Sequence, residues 1–468
     1  MNIQKKLKEL GFDSVPQSFY SLIGEWKDWY EGEVKDFHKY SVFNGLEYME
    51  CHRYSLGMAK KVCEDWANLL LNEKVSITLE GEAEQRFVGE VLSSNNFRVK
   101  GNEQQERKAW SGTAAIVPHI VGMVAEEIDG NIRVKDPGRI RLDYYTAPCI
   151  YPLSWENGII KECAFVQQWS ADGSDYTYME IHKLVDGLYV VENKIFQGET
   201  ELTISTVPGF GDVAEEIRTN SNQPQFVIDR LNIANPIEDC PMGISAFACA
   251  IDQLKAADIA YDGYVNEFVL GKKRIVVKPE ATTDINGKPL FDARETIYYA
   301  LPEDSQSGSI LEQVDMTLRT QEFNCGIQDM LNTLSSKCGF GENHYKYDKG
   351  SVATATQIIS ENSTLFRTIK KHELILEDVL VSLCRIILRM GNDYMGMDLN
   401  EDVEISVDFD DSIIEDKQAD FSRDMQLLSA GIMNAWEFRA KWMNEDEDTA
   451  KKNLPGAEAL GAPTEERE

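Results

Sequence analysis

The forty residues SVATATQIISENSTLFRTIKKHELILEDVLVSLCRIILRM, positions 351–390, contain neither glycine nor proline, so nothing in them interrupts a helix. Thr354, Ala355, Thr356 and Gln357 read as a capping box at its start, and Gly391 stands where a helix-ending residue is wanted. The predicted helix is therefore about 60 Å long. In its second half Leu365, Ile369, His372, Leu376, Val379, Leu383, Ile386 and Met390 recur at steps of four and three, with Arg367, Lys370, Lys371, Glu373, Asp378 and Arg385 between them. That spacing describes a buried seam with a solvated back. The first half is diluted by Thr354, Thr356, Ser360, Asn362, Ser363 and Thr364, whose side chains can bond back to helix carbonyls, and a bend is expected at 360–364.

The segment before this helix, CGFGENHYKYDKG at 338–350, is glycine-bounded, aromatic and basic, with no apolar period. It reads as an exposed loop, either a plain connector or a functional one.

The chain has 468 residues, 43% hydrophobic and 27% charged, enough for two or three domains with a large core. Its 47 Lys and Arg against 79 Asp and Glu give a formal charge of -32, which disfavours a protein that grips nucleic acid tightly through phosphates. A passage through which nucleic acid slides is not disfavoured in the same way. The nine cysteines are scattered without a metal-type C-x-x-C pair, so reduced thiols in a cytosolic setting are expected. The N-terminus has no apolar signal region and no run has the length of a membrane span, so neither secretion by a signal peptide nor membrane insertion is expected.

Residues 1–32 predict short helices with Trp26, Trp29 and Tyr30 as a packing cluster. Leu56, Ala59, Val62, Cys63, Trp66, Leu69 and Leu70 recur at helical spacing, and 74–79 alternates as a strand. Helices at 83–94 and 97–111 lead to an apolar strand at 113–121, where Pro118 indicates an edge or bulge and His119 is a lone histidine, read as structural. Strands at 139–145, 159–169, 176–184 and 188–196, separated by Asn157-Gly158, Asp172-Gly173 and Asp186-Gly187, predict a β-meander.

A helix is expected to start at 240–245 with Phe247, Ile251, Leu254, Tyr261, Val265 and Phe268 as its apolar set, interrupted by Asp258 and ended by Gly271. Residues 272–316 hold strands at 274–277 and 296–301 around an Asn286-Gly287 turn. A second helix at 317–337, with Leu318, Cys325, Ile327, Leu331 and Leu334 inward, would lie antiparallel to the first. Beyond Gly391 come a strand at 403–409 and helices at 416–430 and 435–443; residues 393–450 carry 17 acids and 4 bases, a net of -13. The Ala/Gly/Pro/Glu-rich tail at 455–468 is expected to be disordered.

The loop and helix at 339–373, the helix-to-strand unit at 59–75 and the segments 241–245, 250–262 and 267–277 resemble the portal proteins of tailed double-stranded DNA phages of the Gram-positive siphovirus branch, in order and spacing, over about residues 20–452. The resemblance implies an α+β portal fold: wing 1–241, first stem helix 242–271, small β clip 272–316, second stem helix 317–338, channel loop 339–350, long kinked helix 351–391, wing strand 392–410, crown helices 411–454 and tail 455–468. It implies a homo-oligomeric ring, usually dodecameric, at the capsid vertex of the virion, assembled in the host bacterial cytoplasm. Double-stranded DNA would be packaged and ejected through it without regard to sequence. Partners implied are the terminase large subunit, head-completion or adaptor proteins, and capsid and scaffolding proteins, with no membrane, cofactor or metal. Tyr345, Lys346, Tyr347 and Lys349 would face the channel DNA, Gly339, Gly341 and Gly350 would let the loop shift, and Lys272, Lys273 and Arg274 would open the clip. The tyrosines could instead pack neighbouring loops together.

Phosphate-loop, zinc-protease, serine-hydrolase and dinucleotide motifs are missing, so no enzyme is expected. Two rivals stay open: a metal-dependent hydrolase using Asp408, Asp410 and Asp411, and a ring-forming head-tail adaptor that conducts no DNA.

Overall fold

The computed structural model describes the chain except residues 44, 73–74, 129–130, 172, 220, 272–273, 278–297, 301–310, 315–316, 347–354, 410–416, 444 and 455–468. It divides into two compact units, Met1–Thr354 with Ser363–Phe409, and Ala355–Asn362 with Asp410–Glu468.

The first unit opens with helices α1 (Ile3–Glu9) and α2 (Gln17–Glu31) and a hairpin of β1 (Lys39–Phe43) and β2 (Tyr48–His52). Then come α3 (Met58–Leu70), β3 (Ser76–Leu79), α4 (Glu82–Ser94) and α5 (Phe97–Ser111). Strands β4 (Thr113–Val121), β5 (Val124–Ile128), β6 (Asn131–Asp136) and β7 (Arg139–Thr146) follow. After them come β8 (Ile150–Glu156), β9 (Ile159–Ala171), β10 (Ser174–Val185), β11 (Leu188–Gln197), β12 (Thr200–Leu202), β13 (Glu216–Arg218) and β14 (Val227–Arg230). Next are α6 (Ile251–Leu270), β15 (Arg274–Val277), β16 (Tyr298–Ala300), β17 (Leu311–Val314), α7 (Thr320–Lys337), α8 (Ala355–Met395) and β18 (Ile405–Asp408). The second unit holds the start of α8, then α9 (Lys417–Ser429), α10 (Ala435–Met443) and α11 (Glu447–Lys452).

The meander exists, in the order β12-β11-β10-β9-β8 with β13 on β11, but its membership differs from expectation. The strand at 139–146 leaves it and pairs with β4, while β8, unread in the sequence, takes its place. Asn157-Gly158 and Asp186-Gly187 all have positive φ, the backbone that two-residue hairpin turns require. Helix α1 covers one face of this sheet, burying Ile3 and Leu7 among Tyr151, Ala164, Val166, Met179, Ile181 and Phe196. Strand β4 lies between β14 and β7, and β14 pairs no further than Ile116. Pro118 therefore sits where β4 has β7 as its single neighbour among the described strands, as an edge proline should.

All eight seam residues of α8 are buried. Glu373, placed on the solvated back by the sequence, is also buried, 2.9 Å from Lys370. The helix continues through Gly391 to Met395, and the left-handed residue after it is Gly396, φ 67°. Gly391 serves packing, since a Cβ there would come 2.8 Å from the Phe87 ring. The expected capping box begins outside the described residues, and the boundary between the two units falls within the predicted bend, between Asn362 and Ser363.

Helix α6 starts at Ile251, later than 240–245 suggested. The preceding residues are an irregular buried segment, because Gly243 crosses Gly112: a Cβ on either would lie 2.2–2.4 Å from the other's carbonyl oxygen. Strands β15 and β16 pair in parallel, which excludes a simple hairpin between them; β17 completes that sheet antiparallel to β15. The Asn286-Gly287 turn lies outside the described residues. Strand β18 pairs with β3, and α11 is a helix the sequence had not suggested.

Candidate channel-loop site

Helices α6 and α7 run antiparallel, tied at both ends. The Arg319 guanidinium, at the start of α7, donates to both Glu267 oxygens near the end of α6, at 3.1 and 2.8 Å. At the other end Lys337 Nζ donates to the Cys249 carbonyl at 3.3 Å. Between them Phe323 fills the space over Gly263. Ile327, Leu331 and Leu334 are buried as expected, whereas Leu318 and Cys325 are exposed. On α6, Asp258 does more than interrupt a seam. Nearly fully buried, it meets His38 Nε2 at 2.9 Å and accepts from the Leu56 amide at 2.7 Å and Ser55 Oγ at 3.1 Å, while Asp262 accepts from the Tyr54 amide at 3.1 Å.

Helix α7 closes with a Schellman motif: the Phe340 amide donates to the Ser335 carbonyl at 3.0 Å and the Gly339 amide to Ser336 at 3.2 Å, with Gly339 at φ 89°. A Cβ on Gly339 would also lie 2.9 Å from Thr368 Cγ2 and 3.3 Å from Trp66. Gly339, expected from the sequence to let the loop shift, thus serves as the helix cap in this conformation. Gly341 likewise is held, at φ 87°, with its carbonyl accepting from Ser335 Oγ at 2.5 Å.

Beyond the cap the loop base is a ring stack. Phe340 stacks on Trp66 (4.8 Å) and on His344 (4.5 Å), and Trp66 donates its indole N–H to the Cys338 carbonyl at 3.1 Å. Tyr345, expected to face a channel, is 8% exposed; its ring packs on Phe340 and His344 and its carbonyl accepts from Gln328 Nε2 at 2.8 Å. Burial, reinforced by nearby Asp65, pushes the Tyr345 phenol far up, so it stays neutral. Partial burial works against the Asp65 charge, yet hydrogen bonds from His344 and Lys61 outweigh it and hold that carboxyl below its usual range. Lys346, immediately after this anchored base, is exposed. Tyr347, Lys349 and Gly350 lie outside the described residues, as do Lys272 and Lys273; Arg274 begins β15.

The ring stack was invisible in the sequence, because Trp66 belongs to a periodic helix and Phe340 to a distant loop without an apolar period. The same holds for the far side of Trp66, where His372 of α8 meets it edge-on at 4.8 Å and accepts the Asn232 amide at Nδ1 (3.0 Å). Burial first, then the charges of Lys108 and Lys371, lower the His372 pKa to about 3.

His119 is not alone. Its Nε2 meets the Glu180 carboxylate at 2.8 Å and its Nδ1 lies 3.1 Å from Asp143, while Glu180 also bonds His182 at 2.8 Å. Burial alone would depress the His119 pKa, but Glu180 and Asp143 override it and raise it to about 10. The histidine stays charged and links β4 to the meander. Of the proposed metal carboxylates, Asp408 is exposed at the end of β18, and Asp410 and Asp411 lie outside the described residues. Among the described residues no group of three or more His, Cys, Asp or Glu is placed to hold a metal ion. All nine cysteines are free, and no described helix is long and apolar enough to cross a membrane.

The described chain is an α+β fold in which an antiparallel helix pair stands on either side of a small β insertion and a 41-residue helix follows. The family model described as "Phage portal protein, SPP1 Gp6-like" matches residues 16–454, and the chain belongs to that family. No curated protein matches significantly. Among solved structures it is similar to a chain of the "Virion of native gene transfer agent (GTA) particle", at 10% identity and TM-score 0.37, covering 82% of this chain and 88% of that one. A likeness of that size carries no argument here.

Proposed function

We propose that copies of this chain form a ring at the capsid vertex through which double-stranded DNA is packaged and later ejected. The observation that carries the reading is the family match across residues 16–454. In it, α6 and α7 form the stem, the sheet of β15 to β17 belongs to the clip that docks the terminase motor and head-completion proteins, and 339–350 is the channel loop. The role is structural, with no catalytic step assigned to any residue.

The geometry supports a narrower version of the loop's role than the sequence suggested. Capping at Gly339 and packing of Phe340 and Tyr345 fix the loop's base, so the residues proposed to meet DNA are Lys346 and Lys349. Repeated around a ring in an acidic chain, these lysines would make weak, salt-sensitive and sequence-independent phosphate contacts. Electron microscopy of the purified oligomer tests the ring: a closed ring wide enough for duplex DNA is expected, and a narrower one would favour an adaptor. The paired variant Lys346→Gln and Lys349→Gln should assemble normally yet package or retain less DNA per head.

A further inference from the structure

The hairpin of β1 and β2 is anchored at its base and carries solvent-exposed apolar side chains at its tip. His38, Tyr54, Ser55 and Leu56 are held by Asp258 and Asp262 of α6, as described above. Toward the tip Phe43, Leu46, Tyr48 and Met49 are 55%, 92%, 75% and 44% exposed. Two strands alone are marginally stable in water, and an apolar tip held out on a fixed base is what a contact surface requires. Between residues 43 and 50 the charges are Glu47 and Glu50, with no base.

A surface of complementary character lies elsewhere on the same unit. Strand β14, the turn between β8 and β9 and the middle of α8 line a groove of about 380 Å³. Its walls are apolar, with Ile159, Phe226 and Val379, and its charged groups are Arg230, Arg385 and Arg389 against Asp378. Arg389 leans on Glu401 at 3.4 Å, and Arg230 donates to the Pro241 carbonyl at 3.0 Å. Among the described residues neither Arg230 nor Arg385 has a carboxylate partner, in a chain whose formal charge is -32.

We propose that the hairpin tip of one copy seats in this groove on the neighbouring copy, its apolar side chains on Ile159 and Val379 and its glutamates toward Arg385 and Arg230. The two surfaces share no residue, so the contact is heterologous and repeats from copy to copy, as a closed ring demands. Aromatic and aliphatic anchors filling a basic-rimmed pocket are the kind of contact that concentrates binding energy, while the charge pairs set register.

The inference rests on the ring reading, and the experiment separates the two. Wild type, L46S, R385E and the charge swap R385E with E47R are compared by mass photometry across concentration. The single variants should raise the half-assembly concentration by about tenfold or more, and the swap should recover part of that loss. All these residues are exposed, and unchanged circular dichroism of the monomer checks the fold. In parallel, a photocrosslinking residue at position 46, in a mixture of isotopically light and heavy chains, should join light to heavy peptides at 154–160 or 375–389. Wild-type assembly by L46S or R385E, failure of the swap to recover any ring, or crosslinks that map elsewhere would overturn the contact while leaving the ring intact. A wild-type chain that forms no ring would overturn the portal reading itself.

Discussion

Two histidines in this chain, one partly buried and one buried, sit in opposite environments and answer desolvation in opposite ways. His119, in the strand wall, is enclosed by Glu180 and Asp143 and carries a proton at neutral pH. His372, in the helical seam, has Trp66 edge-on and the Asn232 amide at Nδ1, with lysines as the nearby charges, and stays neutral. Desolvation alone would depress both pKa values; the sign of the neighbouring charge decides the outcome.

The largest test of that contrast removes the carboxylate. Glu180→Ala should destabilise by about 3–5 kcal/mol in chemical denaturation, because it removes a buried carboxylate bonded to both His119 and His182 and leaves the partly buried His119 cation to Asp143 alone. Glu180→Gln, which keeps hydrogen-bonding atoms, should lose less. On the helical side, His372→Phe should cost about 1–3 kcal/mol, since the Asn232 amide loses its acceptor while the ring volume is kept. Equal losses in the two alanine and phenylalanine variants would collapse the distinction.

The pH dependence sharpens it. The His119 contribution is complete below the unfolded histidine value and is lost as pH rises toward about 10, because the folded state then holds a proton the unfolded state has released. The His372 contribution is complete above the unfolded value and is lost as pH falls toward about 3, because the unfolded state gains a proton the folded state refuses. Stability measured from pH 4 to 10, the range of roughly histidine-sensitive behaviour, should therefore lose its alkaline decline in His119→Gln and part of its acid decline in His372→Phe. The smallest expected effect lies at the exposed end of the loop. Lys346→Gln should change stability by no more than about 0.5 kcal/mol, and a larger change would mean that this lysine belongs to the anchored base.

What was legible in the sequence was whatever repeats locally. The seam from Leu365 to Met390 was read correctly because a 3.6-residue period is written into one segment. Gly391 was misread because a glycine that ends a helix and a glycine that admits a neighbouring ring look the same in one dimension. The strand at 139–146 was given to the meander because register with β4 is a long-range choice that turn signals do not encode. Tyr345 was read as exposed because a loop's composition says nothing of the Trp66 and Phe340 platform beneath it. Glu180 passed unnoticed because its partner His119 lies in a different sheet.

The crossing of Gly112 and Gly243 has a consequence for how this protein can vary. Each excludes a side chain at the other through backbone oxygen, which no second substitution can shorten or turn aside. Gly112 is further restricted by its φ of 79°. A saturation scan should accordingly show two empty columns at these positions, and pairing every change at one with every change at the other should recover nothing.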